Sequence, residues 1–483
     1  MQLLAIQRML GLLLALFSIA MLPSAGISVY YEDGATGSFL IAAIILIIGG
    51  MAVWYPARNA KREMRLRDGF LIVVAFWTAL GISGALPFFL ASQLDLSVTD
   101  AVFESMSGLT TTGATVITGL DELPNSILFY RQLLQWLGGL GIIVLAVAIL
   151  PMLGVGGMQL YRAETPGPMK DNKLTPRITG TAKALWYIYV SLTCLCALAY
   201  WLAGMSPFDA ITHSFSTIAI GGFSTHDASI AYFESPAIEA VCIVFMVVAA
   251  INFALHFISW RSRQLDHYFS DAEFRFFFAT LVFISIAISL ELYFTGTYSS
   301  FFEAWRQGIF QTVSITTTTG FTTSTFHIWP SFLPVLLIFA SFMGGCAGST
   351  AGGLKVIRVL LLMKQGSREI IRLIHPSAQV AIKIGGAQLP DRVLEAVWGF
   401  FAAYVAVFVV LMLAVMYTGL DQVTAFSAVA ACLNNLGPGL GDAGFHYQGI
   451  NSAAKWILSL AMLLGRLEVF TVLVVISPAF WRR

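Results

Sequence analysis

Charge is what this 483-residue sequence has least of: Asp, Glu, Lys and Arg make up 11% of it, against about a quarter in a soluble domain. Its 26 acids and 27 bases nearly cancel, so no net field draws in a polyanion, and a nucleic-acid binder is excluded. The equipment of an enzyme is missing as well. There is no Gly-x-Ser-x-Gly, no His-Glu-x-x-His, and no carboxylate pair deep in an apolar run. Seven histidines (His213, His226, His256, His267, His327, His375, His446) show no metal-ligand spacing. Five cysteines (Cys194, Cys196, Cys242, Cys346, Cys432) offer only a lone Cys-Leu-Cys inside an apolar stretch and read as small buried residues. No catalysis, resident metal or cofactor is expected. What the chain has instead is 58% hydrophobic residues and a mean hydropathy of +0.80. It is an all-α polytopic membrane protein.

A bilayer core of about 30 Å takes roughly 20 apolar residues per helix. Ten stretches qualify, near 3–27, 38–56, 70–91, 127–154, 184–204, 236–260, 274–294, 331–363, 394–418 and 453–480. The first is read as a retained helix rather than a cleaved leader, because a second span follows at once and no small-residue cleavage site lies between them. Basic residues fix the orientation. Of the 27, 23 fall on alternate connections: Arg58 to Arg67, Arg162 to Lys183, Arg261 to Arg275, Lys355 to Arg392, and the two ends. By the positive-inside rule those connections and both termini are cytoplasmic. The opposite loops carry an acidic excess, including Asp100, Asp121, Asp209, Asp227 and Asp421. Arg131, Arg306 and Lys455 fall near the outer side, and Arg466 lies mid-span.

The outward loops hide a fourfold repeat. Each opens with a half-apolar stretch too short to span and ends on a glycine: Gly113, Gly222, Gly320 and Gly437. Those glycines are 109, 98 and 117 residues apart, and a small residue precedes each by 12 positions (Ala101, Ala210, Gly308, Ala425). Three of the following spans then carry glycine at comparable depth: Gly138, Gly344 and Gly465. The unit is a helix, a half-helix, a glycine-containing strand and a helix. This divides the chain into a leading hairpin (1–60) and four pore repeats (68–160, 183–262, 272–364, 392–483), the third with a broken second helix. Irregular backbone at membrane depth survives only where it is buried in protein or lines water. Four half-helices that return as strands around one axis would present rings of carbonyls able to replace a cation's hydration shell. The expected architecture is therefore ten transmembrane helices and four re-entrant half-helices in a pseudo-fourfold, channel-like arrangement. Inverted-repeat carriers predict halves of opposite topology, whereas these four units share one.

Two further features lie within the spans. Met343-Gly-Gly-Cys-Ala-Gly-Ser-Thr-Ala-Gly-Gly-Leu354 places five glycines (Gly344, Gly345, Gly348, Gly352, Gly353) where an apolar helix is expected. At about 0.8–1 kcal/mol each, they should break it. The spacing of Gly344, Gly348 and Gly352 also fits a close-packed GxxxG interface. A phosphate loop is excluded, since Leu354 stands where the lysine would be. Arg466 costs about 2.5–3.5 kcal/mol at mid-span and so should face a bundle interior or a cavity. Pairing with Glu468 is poor on a helix, where i and i+2 point apart.

The four filter-like strands, each with one glycine and none reading Thr-Val-Gly-Tyr-Gly, resemble the Trk/Ktr/HKT superfamily of potassium transporters. Thr-Thr-Thr-Gly113 and Thr-Thr-Thr-Thr-Gly320-Phe resemble it most. The leading hairpin and the glycine run at 344–353 are similar to the bacterial TrkH membrane subunits. The resemblance implies potassium, as transported substrate, on carbonyls of Thr111, Thr112 and Gly113; Ile220, Gly221 and Gly222; Thr318, Thr319 and Gly320; and Asn435, Leu436 and Gly437. Strands two and four depart from the threonine pattern, but backbone ligands tolerate that. The resemblance further implies a gate formed by the 344–353 loop, with Arg466 projecting beneath the filter. It also implies a homodimer in the bacterial inner membrane, in contact with lipid, and a cytosolic TrkA-type subunit that binds nucleotides. Obligate proton–potassium symport is the alternative, weakened because Glu468 is the one deep carboxylate the sequence suggests.

Overall fold

The computed structural model describes residues 2–60, 66–141, 178–330, 332–385 and 387–482. The second half of the span expected at 127–154, the boundary at 160, and Lys61, Arg62, Arg65, Arg162, Lys170, Lys173, Arg177 and Arg483 lie outside those residues. Apart from a two-residue hairpin pairing Lys383–Ile384 with Ala387–Gln388, the described secondary structure is helical. Six helices are long and apolar enough to cross a membrane, and eight if each of two bent pairs is counted as one span. The 22 residues Thr36–Ala57 have a hydropathy of 2.3 and the 27 residues Asp391–Tyr417 one of 2.6, with 28% and 22% of the span buried. Helices apolar on every side, with most of that surface outward, have lipid as their solvent.

The interior is the reverse of a soluble core. Thr110, Thr111, Thr112, Ser214, Thr217, Thr316 to Thr319, Asn434 and Asn435 are all at most 1% exposed. They gather at the centre because four times the chain runs through a long helix, a short buried helix, an extended segment and a second helix. The short helices are Val98–Leu109, Pro207–Ala219, Phe301–Thr316 and Gln422–Leu433. Three are capped by a preceding Ser or Asp. Ser97 accepts from Asp100 N (3.1 Å), Ser206 from Asp209 N (3.0 Å), and Asp421 from Val423 N (2.9 Å) and Thr424 N (3.1 Å).

Every second helix breaks near mid-depth, where the glycine-rich 344–353 run alone had predicted it. In the first repeat a π-turn at Leu137–Gly141 holds Gly139 at ψ −105°. In the second, Pro236–Ala249 and Phe253–Ser262 meet at 95°. In the third, Leu333–Met343 stops and Val356–Ile374 resumes. In the fourth, Ser452–Arg466 and Phe470–Ile476 meet at 114°. The stretches 236–260 and 453–480 are therefore bent pairs, not straight spans. No helix carries Gly344, Gly348 and Gly352 on one face, so they form no GxxxG seam. The leading helices Leu3–Tyr31 and Thr36–Ala57 do pack through glycine: a Cβ at Gly11 would lie 2.6 Å from the Gly50 carbonyl oxygen.

Candidate functional site: a ring of four strands and the loop beneath it

Each short helix ends in the same way. The residue two before the glycine turns left-handed: Thr111 at φ +57°, Ile220 at +55°, Thr318 at +67° and Asn435 at +55°. The next N–H reaches back five residues, from Thr112 to Ser107 O, Gly221 to Ser216 O, Thr319 to Ser314 O and Leu436 to Ala431 O, at 2.7–2.9 Å. This is the Schellman termination, which ordinarily uses glycine at the left-handed position. Three of the four positions hold β-branched residues, for which a positive φ is strained by about 1–3 kcal/mol. Two residues on, the glycines are left-handed again, at +79°, +80°, +86° and +98°. Alternating handedness turns successive carbonyls toward one side, where a regular strand would alternate them.

The four strands close on one another. A Cβ at Gly113 would overlap the Gly221 carbonyl oxygen, at Gly222 that of Thr319, and at Gly320 that of Leu436; at Gly437 it would lie 2.7 Å from that of Thr112. Strand one thus meets two, two meets three, three meets four and four meets one. Every residue expected in the filter belongs to this ring. A cavity of about 370 Å³ opens over it, lined by the four glycines and by Phe223, Asp227, Phe326 and Tyr447 among others.

Side chains to which the sequence assigned no role in the filter brace the ring. Gln135 Nε2 donates to Gly221 O (2.6 Å), while its Oε1 accepts from Ser216 Oγ (2.6 Å) and Phe223 N (3.1 Å). Tyr447 Oη donates to Gly437 O (2.8 Å). Each of these carbonyls keeps a second lone pair. Glu104, 0% exposed, accepts from Arg131 Nε (2.8 Å) and Val116 N (2.9 Å), and Arg131 donates on to Ser224 O (3.0 Å), tying strand one to strand two. The other two cations near the mouth are also paired. Arg306 grips Glu239 bidentately (2.6 and 2.7 Å), and Lys455 meets Asp100 (2.6 Å). A visible clue was Arg131-Gln132 and Gln135, three polar residues on one side of an apolar run. At the mouth His226 lies 2.5 Å from Asp121 and 3.5 Å from Asp209, stacked on Tyr232. Burial opposes its charge, but the two carboxylates outweigh burial and raise its pKa. Burial likewise raises Asp209, and hydrogen bonds from His226, Ser206 and Thr225 overcome it, lowering that pKa to about 2.

Below the ring, the segment between Met343 and Val356 folds across the centre. Gly344, Gly348 and Gly353 all have positive φ, and Gly352 is pressed against the Asn434 carbonyl. Its tip touches the ends of three short helices. Thr350 Oγ1 donates to Ile218 O (2.9 Å), Gly352 N to Thr318 Oγ1 (2.7 Å) and Gly353 N to Asn434 O (3.0 Å). Gly345 is wedged against Ala351 and the Ala250 carbonyl. Arg466 completes the set, donating to Gly138 O (2.5 Å), Gly139 O (2.6 Å), Thr111 Oγ1 (3.2 Å) and Thr350 O (3.4 Å). Glu468 pairs with Arg358 (2.7 Å). Lys355 and Arg358, assigned above to a cytoplasmic connection, are 7% and 6% exposed.

The TrkH family profile, described as "Cation transport protein", matches residues 36–483. The chain belongs to the TrkH family. The "Trk system potassium uptake protein TrkH" of Vibrio parahaemolyticus serotype O3:K6 is 60% identical over 484 residues, covering 100% of both chains. The protein of the same name from Escherichia coli K12 is 57% identical, covering 99% of both. The crystal structure of the potassium transporter TrkH from Vibrio parahaemolyticus superposes with a TM-score of 0.91 at 57% identity, covering 100% of each chain. This chain, all-α with several apolar helices and bent pairs, thus shares its fold with a solved family member.

Proposed function

We propose that this protein is the membrane subunit of a potassium uptake system, and that potassium crosses through the ring as through a gated channel. The observation that carries this is the closed succession of strand contacts, Gly113 to Gly437, each glycine packed against its neighbour's carbonyl oxygen. Carbonyls of Thr111 to Gly113, Ile220 to Gly222, Thr318 to Gly320 and Asn435 to Gly437 replace the ion's water. Pore-facing oxygens from a ring broken in side-chain symmetry still act as a ring, because the ligands are backbone. The names of the relatives support potassium as the ion. The four repeats, their ten spans and the re-entrant helices sit in the bacterial inner membrane, with both termini and the basic connections cytoplasmic. The mouth holding Asp121, Asp209 and Asp227 faces out. At 100 mV inside-negative each entering cation gains about 2.3 kcal/mol, enough for about 50-fold accumulation without proton coupling. Of the carboxylates buried among the described residues, Glu104 and Glu239 are paired with Arg131 and Arg306, Asp68 accepts from Gln2 N, and Glu273 accepts from Ala347 N and Ile357 N; none is a ligand of the ring, which favours a pore over proton symport.

Gly344 to Gly353, with Arg466, form the gate: a loop held under the filter by single hydrogen bonds to residues of several repeats. A homodimer and a cytosolic TrkA-type nucleotide-binding subunit complete the assembly. Potassium flux into liposomes bearing the purified protein, with and without a proton gradient, tests the function. A gradient-independent, potassium-selective flux is expected, rising when Ala347–Gly352 is deleted. Flux that follows the proton gradient would establish symport instead, and a well-assembled deletion with unchanged flux would remove the gate.

A further inference from the structure

The loop beneath the filter has a narrow neck, and one carboxylate from another helix grips both sides of it. Glu273 lies in the first turn of Ala272–Phe294, a helix capped by its own Asp271, which accepts from Phe274 N (2.7 Å). Its side chain leaves that helix and is 8% exposed. A single oxygen, Oε1, accepts from Ala347 N where the chain enters the loop (2.7 Å) and from Ile357 N where the chain leaves it (3.0 Å).

Both donors need it. The helix Val356–Ile374 starts after Lys355, at φ +78°, and has no side-chain cap of its own. Its opening residues include Lys355 and Arg358, the wrong sign for the positive end of a helix dipole. Glu273 therefore supplies from another helix the oxygen and the negative charge that an N-cap residue would give, satisfying one of the orphan N–H groups of the first turn. Because the same oxygen also holds Ala347, the start of Val356–Ile374 cannot swing away from the loop entrance while the clasp is made. Around it the neck is closed by backbone bonds, Val356 N to Gly345 O (3.0 Å) and Leu354 N to Phe342 O (2.9 Å).

We propose that Glu273 is a positioning residue of the gate, the clasp that holds the loop shut, through which motion of the cytoplasmic helix Val356–Ile374 is converted into release of the loop. The proposal rests on the loop being the gate. In the closed arrangement Ala347 N and Ile357 N are inside protein; when the loop withdraws, water reaches them. Removing the carboxylate therefore penalises the closed arrangement and spares the open one.

The test measures potassium and sodium flux in liposomes lacking any cytosolic partner, for Glu273→Ala, Glu273→Gln, the deletion of Ala347–Gly352, and Glu273→Ala within the deletion. A hydrogen bond to a charged acceptor is worth about tenfold in such an equilibrium, so Glu273→Ala should raise flux about tenfold or more. Glu273→Gln keeps an oxygen acceptor without the charge and should fall between it and the parent. Potassium preference over sodium should be unchanged in both. In the deletion, Glu273→Ala should add little, since Ala347 is gone and the carboxylate, still on Ile357 N, no longer ties that helix to the loop. A deletion that does not raise flux overturns the gate and the clasp together. A deletion that raises flux while both Glu273 variants conduct like the parent overturns the clasp alone. Failure of both Glu273 variants to assemble overturns it too, because a residue needed simply for folding gives no graded Gln phenotype.

Discussion

Serine at Gly320 would place a side chain where the ring has no room. The residue sits at φ +86°, a conformation that costs an L-residue about 1–2 kcal/mol. Its Cβ would overlap the Leu436 carbonyl oxygen and lie 2.9 Å from Cδ of Pro438. To restore van der Waals distance, that oxygen must retreat by on the order of 1 Å. Leu436 is one of the proposed ligands, so the damage appears in the ion's coordination shell rather than in folding alone. If the displaced carbonyl loses about 1.4 kcal/mol of its preference for potassium, selectivity falls about tenfold. The overlap is as severe at Gly113 and Gly222, and least at Gly437, where the nearest oxygen is 2.7 Å away. Selectivity loss should follow that order. The assay is potassium and sodium flux through purified variants in liposomes at matched protein levels. Unchanged preference in all four glycine-to-serine variants would refute backbone coordination by this ring.

Arg466→Ala removes four donated hydrogen bonds and a positive charge from beneath the filter. Leak of potassium without a partner should rise, and leak equal to the parent's in a well-assembled variant would contradict a barrier role. The buried pair Glu104–Arg131 should behave asymmetrically. Glu104→Leu strands a buried cation and should cost about 3–5 kcal/mol, whereas adding Arg131→Met should recover much of it; simple additivity in thermal melts would argue against the pair. His226 has its pKa raised in the folded state by Asp209 and Asp121 against the effect of burial. Its contribution is therefore complete below the ordinary histidine value of about 6.5 and is lost as pH rises through the raised one. The melting temperature of the purified protein should fall across that range, and His226→Gln should flatten the fall; an identical pH profile in the variant would count against it.

The repeat could be read because its repeating chemistry is carried by backbone. A left-handed residue packed against a neighbouring carbonyl admits only glycine, so Gly113, Gly222, Gly320 and Gly437 survive as one letter in four otherwise different segments. The equally left-handed positions two residues earlier have space for a side chain, and there the letters scatter into Thr111, Ile220, Thr318 and Asn435. The glycine run 344–353 announced its break for the same reason. The breaks at Ala250–Asn252 and Leu467–Val469 did not, since no residue there is forbidden in a helix. Gln135, Tyr447 and the partners of Arg131, Arg306 and Lys455 stayed hidden because each is defined by a contact between elements well apart in the chain. A polar residue in an apolar run reveals that it must be satisfied, not by whom. Glu273 is a further case, bonded to residues 74 and 84 positions away. Parts that every repeat must perform with its backbone leave a periodic trace in the sequence. Parts that make one repeat differ from the others through side chains, such as the brace on strand two and the carboxylate that holds the loop of repeat three, leave none. What only the folded chain displays is therefore which side chains hold that loop, not the loop itself.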